Sequence, residues 1–127
     1  MIASEIMTQK VAIIHPEASV QQAARLLSDE RISGAPVLDD AGVLIGIITE
    51  ADIIAHAGRE GLLVADIMSR EIISVGERTP VHEIAQLLAE RKIKRVPVLC
   101  DGKLVGIVSR ADIVDAVARG YIIVRDW

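Results

Sequence analysis

Gly46-Ile47-Ile48-Thr49-Glu50-Ala51-Asp52-Ile53 reads as the end of a β-strand that runs straight into a helix. Paired isoleucines favour a pleated, half-buried strand. Thr49 follows at once, and Asp52 comes three positions later as an apolar helix opens. A hydroxyl residue with an acid three positions on is a capping pattern. Thr49 would cover free N–H groups, and Asp52 would sit at the positive helix end. The same pattern returns as Gly106-Ile107-Val108-Ser109-Arg110-Ala111-Asp112-Ile113. A junction that occurs twice in this detail implies a duplicated chain.

Outward from the junction, the repeat extends over almost the whole sequence. Ile6-Met7 recurs as Ile67-Met68, an offset of 67 − 6 = 61. The same offset superposes Val20 on Val81, Leu26-Leu27 on Leu87-Leu88, Ile32 on Ile93 and Pro36-Val37-Leu38 on Pro97-Val98-Leu99. Ala41 has no counterpart, and the offset then becomes 106 − 46 = 60. The sequence divides into residues 1–60, the first copy, and residues 61–127, the second copy with a C-terminal tail. Gly58-Arg59-Glu60-Gly61 reads as the joint. Each copy is near the size at which an isolated core is marginal. The two are therefore expected to pack on each other with pseudo-two-fold symmetry into one α/β (α+β) module.

Each copy reads strand, helix, strand, strand, helix. The first strands are expected at Val11 to Ile14 and Ile72 to Val75. Ser19 with Gln22 forms a capping box, and Val20, Ala23, Ala24 and Leu27 form a helical stripe. In the second copy Thr79 is expected to cap, with Pro80 at the first helical position and Val81, Ile84, Ala85 and Leu88 as the stripe. Hairpins join Ala35–Leu38 to Val43–Ile48 and Val96–Cys100 to Lys103–Val108. The second hairpin turns on Asp101-Gly102, a type I′ signal. The last helices are expected at Glu50 to Ala57 and Arg110 to Ala118, with Gly120 ending the second. The tail Tyr121 to Trp127 reads as a docked segment, an added strand or a partner contact.

Composition narrows the functional classes. The 127 residues hold no Phe, one Tyr and one Trp, so the core is aliphatic. Net charge is 14 − 18 = −4 with both signs interspersed, which argues against nucleic acid or an anionic membrane. Cys100 is the only cysteine and no zinc pattern is present. No apolar run approaches a membrane span, and the first ten residues lack a secretory h-region. A cytoplasmic protein is the expectation. His15, His56 and His82 share no catalytic spacing, and no phosphate-binding glycine loop occurs. Neither an enzyme nor a resident cofactor or metal is expected.

The junctions admit a functional reading beside the capping one. A helix start beyond a strand end presents N–H groups to an anion. Thr49 or Ser109 could donate to a phosphate oxygen, and Asp52 or Asp112 could accept from the two adjacent hydroxyls of a ribose. Both readings can hold together.

The ordered set Ile-Met … Pro-Val-Leu … Gly-x-Ile/Leu-x-Gly-Ile-x-Thr/Ser-x-x-Asp-Ile, present twice between Ser4 and Ala118, resembles the cystathionine-β-synthase (CBS) motif. A tandem pair of such motifs is called a Bateman module. The resemblance implies two clefts between the copies that bind adenosine-containing ligands: AMP, ADP, ATP or S-adenosylmethionine, with or without magnesium. By motif position it assigns Asp52 and Asp112 to ribose, and Thr49 and Ser109 to phosphate or ribose. Ile32 and Ala35, or Ile93 and Val96, would line adenine. The segments Thr8 to Val11 and Ser69 to Ile72 resemble the other base-contacting stretch, which brings in Val11 and Ile72. Lys94 and Arg95 precede Pro97 where Ser33 and Gly34 precede Pro36, and Arg110 stands where the first copy has Glu50. The second site is therefore expected to bind nucleotide more tightly, unless Lys94 and Arg95 are ordinary surface cations. The partners implied are a small adenosine ligand, a homodimer mate and an effector protein that reads the change. The competing reading is a ligand-independent homodimer built through Ile53, Ile54, Ile113 and Val114.

Overall fold

The computed structural model describes residues 1–123. The chain forms two compact units. Val11–Ile72 make one, here called the Asp52 unit. Met1–Lys10 together with the chain from Ile73 onward make the other, the Asp112 unit. The unit boundary and the repeat boundary are different lines: the first ten residues belong with most of the second copy.

The elements run α1 (Ala3–Ile6), α2 (Val20–Glu30), β1 (Gly34–Leu38), β2 (Leu44–Thr49), α3 (Glu50–Ala55), α4 (Val64–Ile67), β3 (Val75–Gly76), α5 (Val81–Arg91), β4 (Arg95–Cys100), β5 (Lys103–Ser109) and α6 (Arg110–Ala118). In the Asp52 unit β1 and β2 pair antiparallel. In the Asp112 unit β3 lies parallel to β4, which pairs antiparallel with β5. Both hairpins match the sequence expectation, and both carry a bulge at the same place, Val37/Leu38 and Val98/Leu99. Asp101 (φ 51°) and Gly102 (φ 78°) are both left-handed, as a type I′ turn requires. The longer turn uses Asp39 instead, whose Oδ1 accepts from the N–H groups of Ala41 and Val43, both at 2.9 Å.

The first strands are shorter than the β-branched runs suggest. Val11 to Ile14 shrinks to a single parallel bridge, Ile14 to Val37, and Ile72 to Val75 to the two-residue β3. Proline is the cause. Ile14 donates to the carbonyl of Pro36 and accepts from Leu38 N–H, both at 3.0 Å. Pro36 has no N–H to extend that ladder toward residue 12, and Pro97 repeats the block.

The helix caps show where local signals win. Ser19 accepts from Gln22 N–H at 3.0 Å while Gln22 Oε1 accepts from Ser19 N–H at 2.8 Å, the expected capping box. Thr79 does not cap α5. Its hydroxyl accepts from Gly76 N–H at 3.0 Å, and Pro80 occupies the N-cap. The open Val81 N–H donates to the carbonyl of Met1 at 2.9 Å, so a distant carbonyl replaces the side-chain cap. Gly120 (φ 78°) ends α6 as expected, with Tyr121 N–H reaching Ala116 O at 2.9 Å. The helix after β2 stops at Ala55 rather than Ala57. Tyr121 and Ile123 are exposed; the expectation for the tail beyond them falls on residues 124–127, outside the described residues.

Each unit has its own aliphatic core. Ala23, Leu27, Ala35, Val37, Ile48, Val64, Ile67 and Met68 fill the Asp52 unit. Ala3, Ile84, Leu88, Val96, Val98 and Val108 fill the Asp112 unit. The short helices α1 and α4, absent from the sequence expectation, supply Ala3, Val64 and Ile67. Each ends at an Ile-Met pair of the repeat, with Met7 and Met68 as the C-caps. A Cβ on Gly106 would lie 2.5 Å from Met7 Sδ and 3.0 Å from Thr8 O; one on Gly46 would lie 2.5 Å from Met68 Sδ and 2.9 Å from Ser69 O. The glycine and the methionine of the repeat are thus one close contact, each made between residues of different copies.

Candidate functional site

In each unit the strand-to-helix junction is built from the backbone outward. Thr49 ends β2 in extended geometry (φ −124°, ψ 166°), and Ser109 ends β5 likewise (φ −109°, ψ 169°). Asp52 Oδ2 accepts from Thr49 N–H at 2.9 Å and from Thr49 Oγ1 at 3.0 Å, while Thr49 Oγ1 accepts from Asp52 N–H at 3.3 Å. Asp112 Oδ2 accepts from Ser109 N–H at 2.8 Å and from Ser109 Oγ at 3.0 Å, with the return bond again at 3.3 Å. The capping reading is therefore realised at both junctions. It leaves one carboxylate oxygen, Oδ1, aimed away from the cap.

Antiparallel pairing brings a second hydroxyl residue to each junction. Thr8 and Ile107 exchange backbone bonds of 2.8 and 2.9 Å, and Ser69 and Ile47 exchange two bonds of 2.9 Å. Thr8 Oγ1 then donates to Asp112 Oδ1 at 3.3 Å. Among the described residues Asp52 Oδ1 has no hydrogen-bond partner. Thr8 was no individual candidate in the sequence; the available signal was the hydroxyl shared by Thr8 and Ser69 at the repeat offset.

Cross-strand register assembles the remaining candidates. Arg95 lies opposite Ser109, and Gly34 opposite Thr49. Directly opposed residues share a sheet face at about 5 Å between Cβ atoms, so the Arg95 side chain leaves on the Ser109 side. Arg110 N–H donates to Lys94 O at 3.0 Å, and Arg110 Nε donates to Ile93 O at 3.1 Å. Ile93, Lys94, Arg95, Ser109, Arg110, Asp112 and Thr8 thus converge in the Asp112 unit. Thr49 and Asp52 meet in the Asp52 unit, where Glu50 N–H donates to Ser33 O at 2.9 Å; Ile32, the neighbour of Ser33, packs against that unit's core. Ala35 and Val96 are fully buried in their cores. Their side chains have no exposed surface, so of the backbone and apolar contacts that the resemblance implies for them, the backbone ones are those that need no side-chain exposure. Val11 and Ile72 are half-buried, outside any regular element.

Two of the histidines make local structural bonds. His15 Nδ1 accepts from Glu17 N–H at 3.1 Å, which puts the proton on Nε2, 2.7 Å from Asp40 Oδ1. His56 Nδ1 donates to Asp52 O at 2.9 Å as α3 ends. Among the described residues no cluster has the composition of a metal site, and no helix is long and apolar enough to cross a membrane. Cys100 Sγ donates to Glu77 Oε1 at 3.2 Å. That bond, desolvation and the charges of Glu77 and Asp101 raise the thiol pKa against the opposing pull of Arg78; such a thiol is a poor nucleophile.

Residues 3–58 and 64–119 match the CBS domain family. The CBS domain-containing protein YhcV of Bacillus subtilis is 34% identical over 113 residues, 86% of this chain and 80% of YhcV. The span is 62% of the chloroplastic CBSX1 of Arabidopsis thaliana and 23% of an inosine-5′-monophosphate dehydrogenase of Korarchaeum cryptofilum. CBSX2 in complex with AMP superposes with a TM-score of 0.87 at 31% identity, covering 95% of this chain and 98% of that one. The CBS domain pair of MJ0100, in complex with 5′-methylthioadenosine and S-adenosyl-L-methionine, gives 0.86 at 30%, covering 94% and 98%.

Proposed function

This chain belongs to the CBS-domain family, and on that premise we propose that it is a non-catalytic regulatory module that binds adenosine-containing ligands and passes their binding to a partner protein. The observation that carries the reading is the junction itself. In both units a carboxylate is locked by one oxygen to its own helix cap; the other oxygen accepts from the Thr8 hydroxyl at Asp112 and has no hydrogen-bond partner among the described residues at Asp52. A ribose diol is the ligand group that matches such an oxygen. The AMP bound by CBSX2 and the methylthioadenosine and S-adenosylmethionine bound by MJ0100 support the ligand class.

The Asp112 junction is the stronger nucleotide site in this reading. Lys94, Arg95 and Arg110 cluster there, and a nine-residue helix, α6, begins at it. Each charge-assisted bond to a phosphate is worth about 1.5–3 kcal/mol. Binding alters function only so far as the ligand discriminates between two states of the module.

A panel of AMP, ADP, ATP, S-adenosylmethionine and guanosine controls, read by melting temperature, tests this. The module melts higher with an adenosine compound and loses the gain with AMP in Asp112→Ala and most of it in Arg95→Ala. A flat panel removes the sensor reading. Ile54 (73% exposed) and Val114 (66% exposed) occupy equivalent helix positions. They favour the second reading, an assembly module whose homodimer persists without ligand; a concentration-independent monomer in ultracentrifugation removes it.

A further inference from the structure

The two junctions have the same backbone and opposite charge. Positions 33, 34, 49 and 50 are related by one cross-strand pair, Gly34 with Thr49, and one bond, Glu50 N–H to Ser33 O at 2.9 Å. Positions 94, 95, 109 and 110 repeat it through Arg95 with Ser109 and Arg110 N–H to Lys94 O at 3.0 Å. The four side chains are Ser, Gly, Thr and Glu in the first case, and Lys, Arg, Ser and Arg in the second. The formal charge at equivalent places is −1 against +3. Arg110 is moreover tied across to Ile93 O, so its cation stays beside the junction. Glu50 is exposed, and among the described residues it has no ion pair. The six-residue α3 adds little compensating field.

We propose that Glu50 makes the Asp52 junction a site for adenosine compounds whose 5′ substituent is uncharged or cationic, so that the module reads two chemically distinct ligands at once. The inference rests on the adenosine-binding reading above. A phosphate carries about −1.5 to −2 charge near neutrality. At the Asp52 junction it would face Glu50 with no basic side chain at positions 33, 34 or 49. A thioether meets no such penalty, and an ammonium or sulfonium gains an opposite charge. Asp52 Oδ1, which has no hydrogen-bond partner among the described residues, is the acceptor left for the sugar, which all these compounds share.

The test is calorimetric titration of the full chain with AMP, 5′-methylthioadenosine and 5′-amino-5′-deoxyadenosine. In Asp112→Asn, which keeps a capping acceptor, the residual site should bind the amino and methylthio compounds at least about tenfold more tightly than AMP. Adding Glu50→Arg should bring AMP level with them or ahead. In the wild type saturated with AMP, one equivalent of methylthioadenosine should still bind, a reading that does not depend on a variant folding. Equal or tighter binding of AMP in Asp112→Asn, an unchanged ratio in Glu50→Arg, or no further binding to the AMP-saturated wild type would each overturn the charge selection while leaving adenosine binding intact. Failure of all three compounds to bind the wild type would overturn the parent reading and this one with it.

Discussion

Thr8 donates its hydroxyl proton to Oδ1 of Asp112 at 3.3 Å, a bond between residues 104 positions apart. The other oxygen of that carboxylate belongs to the Ser109 cap. One side chain thus serves two tasks through two atoms. Replacing Ser109 by Ala should cost about 1 kcal/mol of unfolding free energy, the usual loss of a helix cap. Thr8→Val, which removes a long bond at an exposed residue, should cost less than about half of that. Urea unfolding of both variants measures the difference; equal losses would mean that the carboxylate is not partitioned in this way.

Gly106 has no room for a side chain. A methyl there meets Met7 Sδ and the carbonyl of Thr8. Gly106→Ala should destabilise by about 1–3 kcal/mol. Met7→Ala in the same chain should restore only part of this, because the Thr8 carbonyl is fixed by Ile107 N–H at 2.9 Å. Thermal unfolding of the single and double variants checks it; full rescue would show that the sulfur alone is the obstacle.

Lys92 ends α5 in the left-handed region at φ 54°, and Arg31 ends α2 at the same φ. An L-residue there costs roughly 1–2 kcal/mol, against roughly 0.5–1 kcal/mol of extra chain entropy for Gly. Lys92→Gly should therefore raise stability by about 0.5–1 kcal/mol, seen as a higher denaturant midpoint at unchanged slope. A lower midpoint would reveal a contact of the lysine side chain that outweighs the backbone strain.

The thiol of Cys100 is held protonated, first by its bond to Glu77. The rate of its alkylation should climb only at pH values above the ordinary thiol range, and Glu77→Gln should move that climb to lower pH. The linkage has a definite sign. A native pKa above the unfolded one contributes stability that is complete below the unfolded value and is lost as pH rises through the native one. The stability difference between the wild type and Cys100→Ser should accordingly shrink on the alkaline side and stay level on the acid side.

Local chemistry was legible where neighbours in sequence decide the outcome. The hairpins, the capping box at Ser19, the glycine stop at Gly120 and both Thr/Ser-x-x-Asp caps follow from residues within a few positions of one another. The failures share a different cause. Thr79 loses its capping role because Met1 supplies a carbonyl from the far end of the chain. The first strands lose their length because Pro36 and Pro97, in other strands, lack the N–H that would extend pairing. Thr8 at Asp112 and Met7 against Gly106 join residues about a hundred positions apart, and no periodicity encodes such a pairing. At the candidate site the carboxylates and hydroxyls were readable from spacing, whereas the burial of Ala35 and Val96 depended on which sheet face meets the core.

Because Met7 is fitted to Gly106 and Met68 to Gly46, neither copy of the repeat can drift on its own. A bulkier residue accepted in one must be answered by a smaller one in the other. The duplication therefore behaves as a single hereditary object: severing it at the glycine joint would give two fragments that each lack the partner for their own glycine, and that regain it only by finding each other again.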